Sequence, residues 1–100
     1  MKKILIAEDH DIVRVGINFL LKDLFGDVQL AEATTFKELL NQLDKGIYDL
    51  LILDINIPGG DNIHMVETIR YRSTHIPILV LSSYDEKTHA IRYLKAGANG

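Results

Sequence analysis

The amino-acid sequence predicts an α/β domain, a parallel sheet with helices wound on both faces. Three observations carry that reading. Short, continuously apolar runs recur along the chain, as strands buried on both faces require. Between them lie stretches whose apolar residues fall three and four apart, the spacing of a helical stripe. The two kinds alternate strictly as βαβαβαβα, an order that implies parallel strands joined by right-handed crossovers.

Ile4-Leu5-Ile6-Ala7 is the first strand. After Glu8-Asp9-His10-Asp11, the residues Ile12, Val13, Ile17, Leu20, Leu21 and Leu24 mark one helix stripe, with Asp9 or Asp11 as cap and Gly26 as terminator. Val28 to Ala33 is a less apolar strand, as suits a position nearer the sheet edge. Thr35-Phe36-Lys37-Glu38 has the capping-box spacing, and Phe36, Leu39, Leu40 and Leu43 continue at helical intervals until Gly46. Leu50-Leu51-Ile52-Leu53 is a buried strand halted by Asp54, and Pro58-Gly59-Gly60-Asp61-Asn62 is the clearest loop. Ile63, Val66 and Ile69 give a third helix. Ile76 to Leu81 gives a fourth strand, with Pro77 at its start, and Asp85 to Ala96 a fourth helix closed by Gly97.

The chain has 100 residues, enough for one domain and no second. Its 47% hydrophobic and 25% charged residues argue against disorder. A net charge of -3 disfavours nucleic-acid binding by this chain alone. The absence of cysteine excludes disulfides, thiolate metal sites and thiol catalysis. No apolar run approaches the roughly 18 residues that span a bilayer, and a cytoplasmic location is the simplest expectation.

In parallel α/β sheets the reactive site lies beyond the carboxyl ends of the strands. Glu8 and Asp9 leave the first strand, Asp54 the third, and Ser82-Ser83 the fourth. Clustered carboxylates repel unless a cation offsets them, and oxygen donors of this kind suit Mg2+. Such an ion lets a carboxylate attack phosphorus, and Ser82 could hydrogen-bond the resulting acyl phosphate. Singly, each group has a plainer reading, as a solvated acidic pair, a strand terminator or a turn former. His10, His64, His75 and His89 show no paired metal spacing and read as surface or loop residues, with His10 alone near the acids. Met65 and Phe36 read as core, and Arg14, Lys22 and Lys37 as solvated helix faces.

Four segments carry a resemblance to the receiver domain of bacterial two-component response regulators. They are Lys3 to His10, Leu51 to Gly59, Ile76 to Ser82 and Leu94 to Gly100, in family order and spacing. Glu8-Asp9-His10 with Val13-Arg14-Val15-Gly16 is similar, more narrowly, to regulators with a C-terminal helix-turn-helix of the NarL/FixJ kind. The resemblance implies that Asp54 is the phosphoacceptor and that Ser82 hydrogen-bonds the phosphoryl group as part of the switch. It implies Mg2+ ligated by Asp9, Asp54 and the backbone carbonyl of Asn56, with Glu8 acting through water. Asn56 and Tyr84 fall where the family tunes the phosphoryl lifetime. A sensor histidine kinase as donor, a homodimer on phosphorylation and regulation of transcription are implied too, with DNA reached only through a C-terminal domain absent from this chain and no membrane partner. The protein is then no enzyme beyond its own phosphorylation and dephosphorylation.

The family continues past Gly100 into a fifth strand, an aromatic switch residue, a lysine and a fifth helix. The expected architecture is therefore a flavodoxin-like doubly wound sheet of strand order 2-1-3-4-5 lacking its fifth strand and helix, a C-terminally truncated receiver over residues 1–100. The last edge strand should then be exposed. Glu8 stands where aspartate is commoner, and Asn62 where glycine is frequent. Two other functions compete: a dimerisation module that needs no phosphorylation, and a Mg-dependent aspartyl-phosphate phosphatase. The phosphatase lacks a second acid two residues beyond Asp54. A flavin or nucleotide carrier is disfavoured because the first loop is acidic and not glycine-rich.

Overall fold

A computed structural model describes residues 1–61, 63–81 and 87–100, with 87–91 as backbone alone. β1 (Lys2–Ala7), β2 (Val28–Ala33), β3 (Leu50–Asp54) and β4 (Ile78–Leu81) form one parallel sheet in the order β2-β1-β3-β4. β2, the least apolar strand, lies at an edge, as its composition predicts. β1 and β3 are central, buried from Ile4 to Ala7 and from Leu51 to Asp54.

Side chains alternate across the strands and divide the core in two. Leu5, Ala7, Leu51, Leu53 and Ile78 face a large cluster built with Leu39 of α2 (Phe36–Lys45). Met65, Val66 and Ile69 of α3 (Ile63–Arg72) and Tyr93 of α4 (Lys87–Ala96) complete it. Ile4, Ile6 and Ile52 face the other way, onto Leu21 and Ile17 of α1 (Asp11–Phe25). Each fully buried Ile or Leu contributes about 1.5–3 kcal/mol relative to exposure. Among the described helices, three therefore cover one face and α1 alone covers the other.

That imbalance corrects the stripe read along α1. Leu21 is buried, but Ile12 is 83%, Leu20 60% and Leu24 73% exposed. A single helix cannot press a wide apolar arc onto the sheet, so the flanks of the arc stay open. The cap also differs. His10 is the N-cap residue, with no side-chain hydrogen bond to the helix, and neither Asp9 nor Asp11 caps it. Gly26 ends α1 as expected at φ 69°, a backbone that a Cβ would strain.

At α2 the Thr35 hydroxyl accepts from Glu38 N, as the spacing predicts. Glu38 reaches back one residue further than a capping box specifies, to Thr34. β4 begins at Ile78, two residues later than expected, because Pro77 has no N–H to give the ladder. The predicted start of α4 at Asp85 lies outside the described residues.

The outer edge of β4 is not bare. Val80 N donates to Gly100 O at 2.8 Å and Gly100 N to Ile78 O at 3.2 Å, the bonds of a parallel bridge. Arg70 anchors this segment through Gly97 O and Asn99 Oδ1, and Asn99 Oδ1 also accepts from Ile78 N. The exposed edge expected for the fourth strand is thus covered at Ile78 and Val80, where Asn99-Gly100 bonds alongside β4.

Candidate functional site: an acidic cluster at the carboxyl edge

Sheet register creates the cluster. Ala7 pairs with Leu53, so the next residues, Glu8 and Asp54, follow in line on neighbouring strands. Glu8 N donates to Ala33 O and holds the chain in the sheet for one residue past β1. Asp9 and His10 then turn into α1. One donor atom from each of Glu8, Asp9, His10 and Asp54 lies within 4.8 Å of all the others. Glu8 and Asp54 are buried, at 3% and 9% side-chain exposure, while Asp9 is half-buried and His10 exposed.

Each carboxylate has a distinct set of partners. Asp54 Oδ1 accepts from Asn56 N at 2.9 Å, which fixes the carboxylate plane and leaves Oδ2 turned toward the cluster. Glu8 Oε1 accepts from His10 N at 3.1 Å and from His10 Nδ1 at 2.7 Å. Asp9 Oδ1 is inaccessible to solvent and accepts no hydrogen bond among the described residues; His10 Nδ1 stands 3.4 Å from it. Burial, and contact with the Asp54 carboxylate, push the Glu8 carboxyl above its ordinary value of 4.5. The bond to Glu8, with the Asp9 charge, raises His10 above 6.5.

A cation fits this donor set. Three carboxylates are crowded together, two are largely desolvated, and one buried oxygen accepts no hydrogen bond among the described residues. A divalent ion would satisfy that oxygen and offset the repulsion.

The structure brings Glu8, Asp9 and Asp54 together, as the sequence predicts, and sets Asn56 in the turn just after them. Ser82, Ser83, Tyr84 and Asn62 lie outside the described residues. Two residues do more than sequence reasoning assigned them. Arg14 is no solvated helix face: its side chain is only 16% exposed. Its guanidinium donates to Glu8 O at 2.9 Å, pairs with Asp11, and holds Glu32 of β2 at 2.7 Å. Helical side chains lean toward the N-terminus, so an arginine in the first turn reaches back over the strand end. That rule could have flagged it. His10, read as a loop residue near the acids, places its Nδ1 among them.

A parallel sheet in this order, with carboxylates beyond the ends of its two central strands, defines a doubly wound α/β domain whose chemistry sits at the carboxyl edge. Residues 4–100 match the response regulator receiver domain family, and the chain belongs to it. It is a phosphoaccepting receiver module of two-component signalling. The chain is 35% identical to chemotaxis protein CheY of Pseudomonas aeruginosa, an alignment covering 98% of this chain and 80% of that one. It is 33% identical to the uncharacterized transcriptional regulatory protein YhcZ of Bacillus subtilis, over 96% of this chain and 45% of that protein. Among solved structures, the RcsB response regulator of Salmonella typhimurium superposes with a TM-score of 0.90 at 28% identity, covering 99% of this chain and 50% of that one. The chain thus spans about half the length of several relatives it matches. No described helix is long and apolar enough to cross a membrane.

Proposed function

We propose that Asp54 is the phosphoacceptor, and that Glu8, Asp9, Asp54 and the Asn56 carbonyl hold the Mg2+ the reaction needs. The observation that carries the reading is the convergence of three carboxylates, one with a buried oxygen that accepts no hydrogen bond among the described residues, beyond the ends of β1 and β3. Asn56 N donates to Asp54 Oδ1, which holds the carboxylate in place at the edge of the cluster. In the transfer, a carboxylate oxygen of Asp54 attacks the phosphorus of a kinase phosphohistidine, the P–N bond breaks, and the histidine nitrogen leaves with its electron pair and takes a proton. When bound, Mg2+ shields the like charges of carboxylate and phosphoryl group. Ser82 is the proposed hydrogen-bond donor to the new phosphoryl oxygens.

The relatives support the wider setting. The RcsB receiver of Salmonella enterica serovar Typhimurium has been solved with the phosphomimetic BeF3−, and it superposes on this chain with a TM-score of 0.90 at 28% identity. Two of the relatives are transcriptional regulatory proteins by name. A sensor histidine kinase as donor, phosphorylation-driven homodimerisation, regulation of transcription through a separate DNA-binding domain, and a cytoplasmic location follow as parts of the same proposal.

Intact-mass measurement after incubation with Mg2+ and a small acyl phosphate tests it. One phosphoryl adduct, dependent on Mg2+ and lost in Asp54→Asn, is the expected result. An adduct that survives in Asp54→Asn, or no adduct in the wild type, overturns the assignment.

A further inference from the structure

We propose that Glu32, on the edge strand β2, is a positioning residue for the cation site and acts on it through Arg14. The inference rests on the reading of the acidic cluster as a cation site, and names what holds that cluster in shape.

Glu32 stands opposite Ile6 in the register of β1 and β2, on the sheet face that α1 covers. It meets α1 at two residues one turn apart. Glu32 Oε2 is 2.7 Å from Arg14 Nε and accepts from Asn18 Nδ2 at 3.4 Å. The guanidinium, only 16% exposed, then donates through Nη1 to Glu8 O at 2.9 Å. A carboxylate that fixes one nitrogen of this planar fork also aims the others. Arg14 pairs with Asp11 as well, but that carboxylate is 90% exposed and on the same helix, so it contributes little.

What the chain of contacts holds is the backbone of Glu8. Glu8 N donates to Ala33 O, and Glu8 O accepts from the guanidinium that Glu32 holds. Both peptide units flanking Glu8 are therefore tied to β2, one directly and one through Arg14. With those two planes set, so are the dihedrals of Glu8 and the points from which the Glu8 and Asp9 side chains start. A cation site needs its donors held to about half an ångström, so a brace on this turn sets affinity without touching the ion.

The sign of the effect separates positioning from plain electrostatics. As a bare positive charge near the acids, Arg14 would oppose a second cation, and its removal would strengthen binding. As a positioning group, its removal weakens binding. Glu32 should matter only while Arg14 is there to carry its effect.

Isothermal titration of the full 100-residue chain with Mg2+ compares wild type, Glu32→Gln, Arg14→Met and the double variant. Affinity should fall about tenfold in Arg14→Met and about threefold in Glu32→Gln, and the double variant should match Arg14→Met. With a small acyl phosphate, the loss should appear in the Mg2+ concentration for half-maximal adduct rate and not in the maximal rate. In EDTA, exchange of the His10 amide hydrogen, bonded to Glu8 Oε1, should quicken in both single variants. If Arg14→Met does not fold, Arg14→Gln replaces it in the same comparison. Unchanged or tighter Mg2+ binding in the Arg14 variant, or a Glu32→Gln loss of equal size in both backgrounds, overturns this inference alone. A wild type that binds no Mg2+ overturns it together with the cation-site reading.

Discussion

Two strand-to-helix junctions stand side by side at the carboxyl edge, and they treat their polar groups in opposite ways. Where β2 leads into α2, every group is matched: the Thr35 hydroxyl caps Glu38 N, and Glu38 Oε1 receives both the N–H and the hydroxyl of Thr34. Where β1 leads into α1, the N-cap residue makes no side-chain cap bond, and Asp9 Oδ1 is buried without a hydrogen bond among the described residues. Glu8 faces Asp54 across the strand register. The first junction spends its polar side chains on its own backbone and stabilises the fold. The second points them outward at a shared centre, and the cost in stability marks where a ligand is expected.

Substitutions at the two junctions should separate these roles. The largest effect is expected for Glu8→Gln, which removes one buried charge while keeping an oxygen for His10 N. Cation affinity should fall by tenfold or more, roughly the loss on removing a partner of a metal site. In EDTA the same variant should melt at a higher temperature than the wild type, because the repulsion with Asp54 is gone. Calorimetry with and without Mg2+ reads both; a lower melting temperature in EDTA would show that the junction is not under charge strain.

Arg14→Met comes next. It removes the guanidinium that ties Glu8 O to Glu32, so the acidic turn loses its brace. Cation affinity should fall by about tenfold, and Arg14→Lys should recover only part of it, since an ammonium cannot reproduce the planar fork. Isothermal titration compares the three.

At the matched junction, Thr35→Ala should cost about 1 kcal/mol of unfolding free energy in urea and leave cation affinity unchanged. The smallest effect belongs to Glu38→Gln, and it depends on pH. Bonds from Thr34 hold the Glu38 carboxyl below its ordinary 4.5. The ionised form is therefore favoured by folding, and its contribution is present above pH 4.5 and lost as the pH falls through the folded value. The stability gap between wild type and Glu38→Gln should close on acidification, as urea melts across that range would show.

Much of this was legible in the order of residues. Four apolar runs each followed by an amphipathic stretch admit few folds other than a parallel doubly wound sheet, because burial on both faces needs helices above and below. The rule that chemistry sits at the carboxyl edge then singles out Glu8, Asp9 and Asp54. The Thr35 cap and the Gly26 terminator were readable because they are local events, decided within one turn of helix. What failed was less local. Leu20 and Leu24 obey the helical period as faithfully as Leu21, yet periodicity says nothing about how much sheet there is to cover.

The sequence by itself determined the elements, their parallel order and the identity of the acids, since these follow from short-range patterns of burial and polarity. Only the tertiary structure decided that Ala7 aligns with Leu53, that Arg14 folds back onto Glu8 O, and that His10 Nδ1 stands among three carboxylates. The physical reason is distance in the chain. Register between β1 and β3 joins residues more than forty apart. The direction of an arginine or imidazole is chosen by partners that no neighbouring residue reveals.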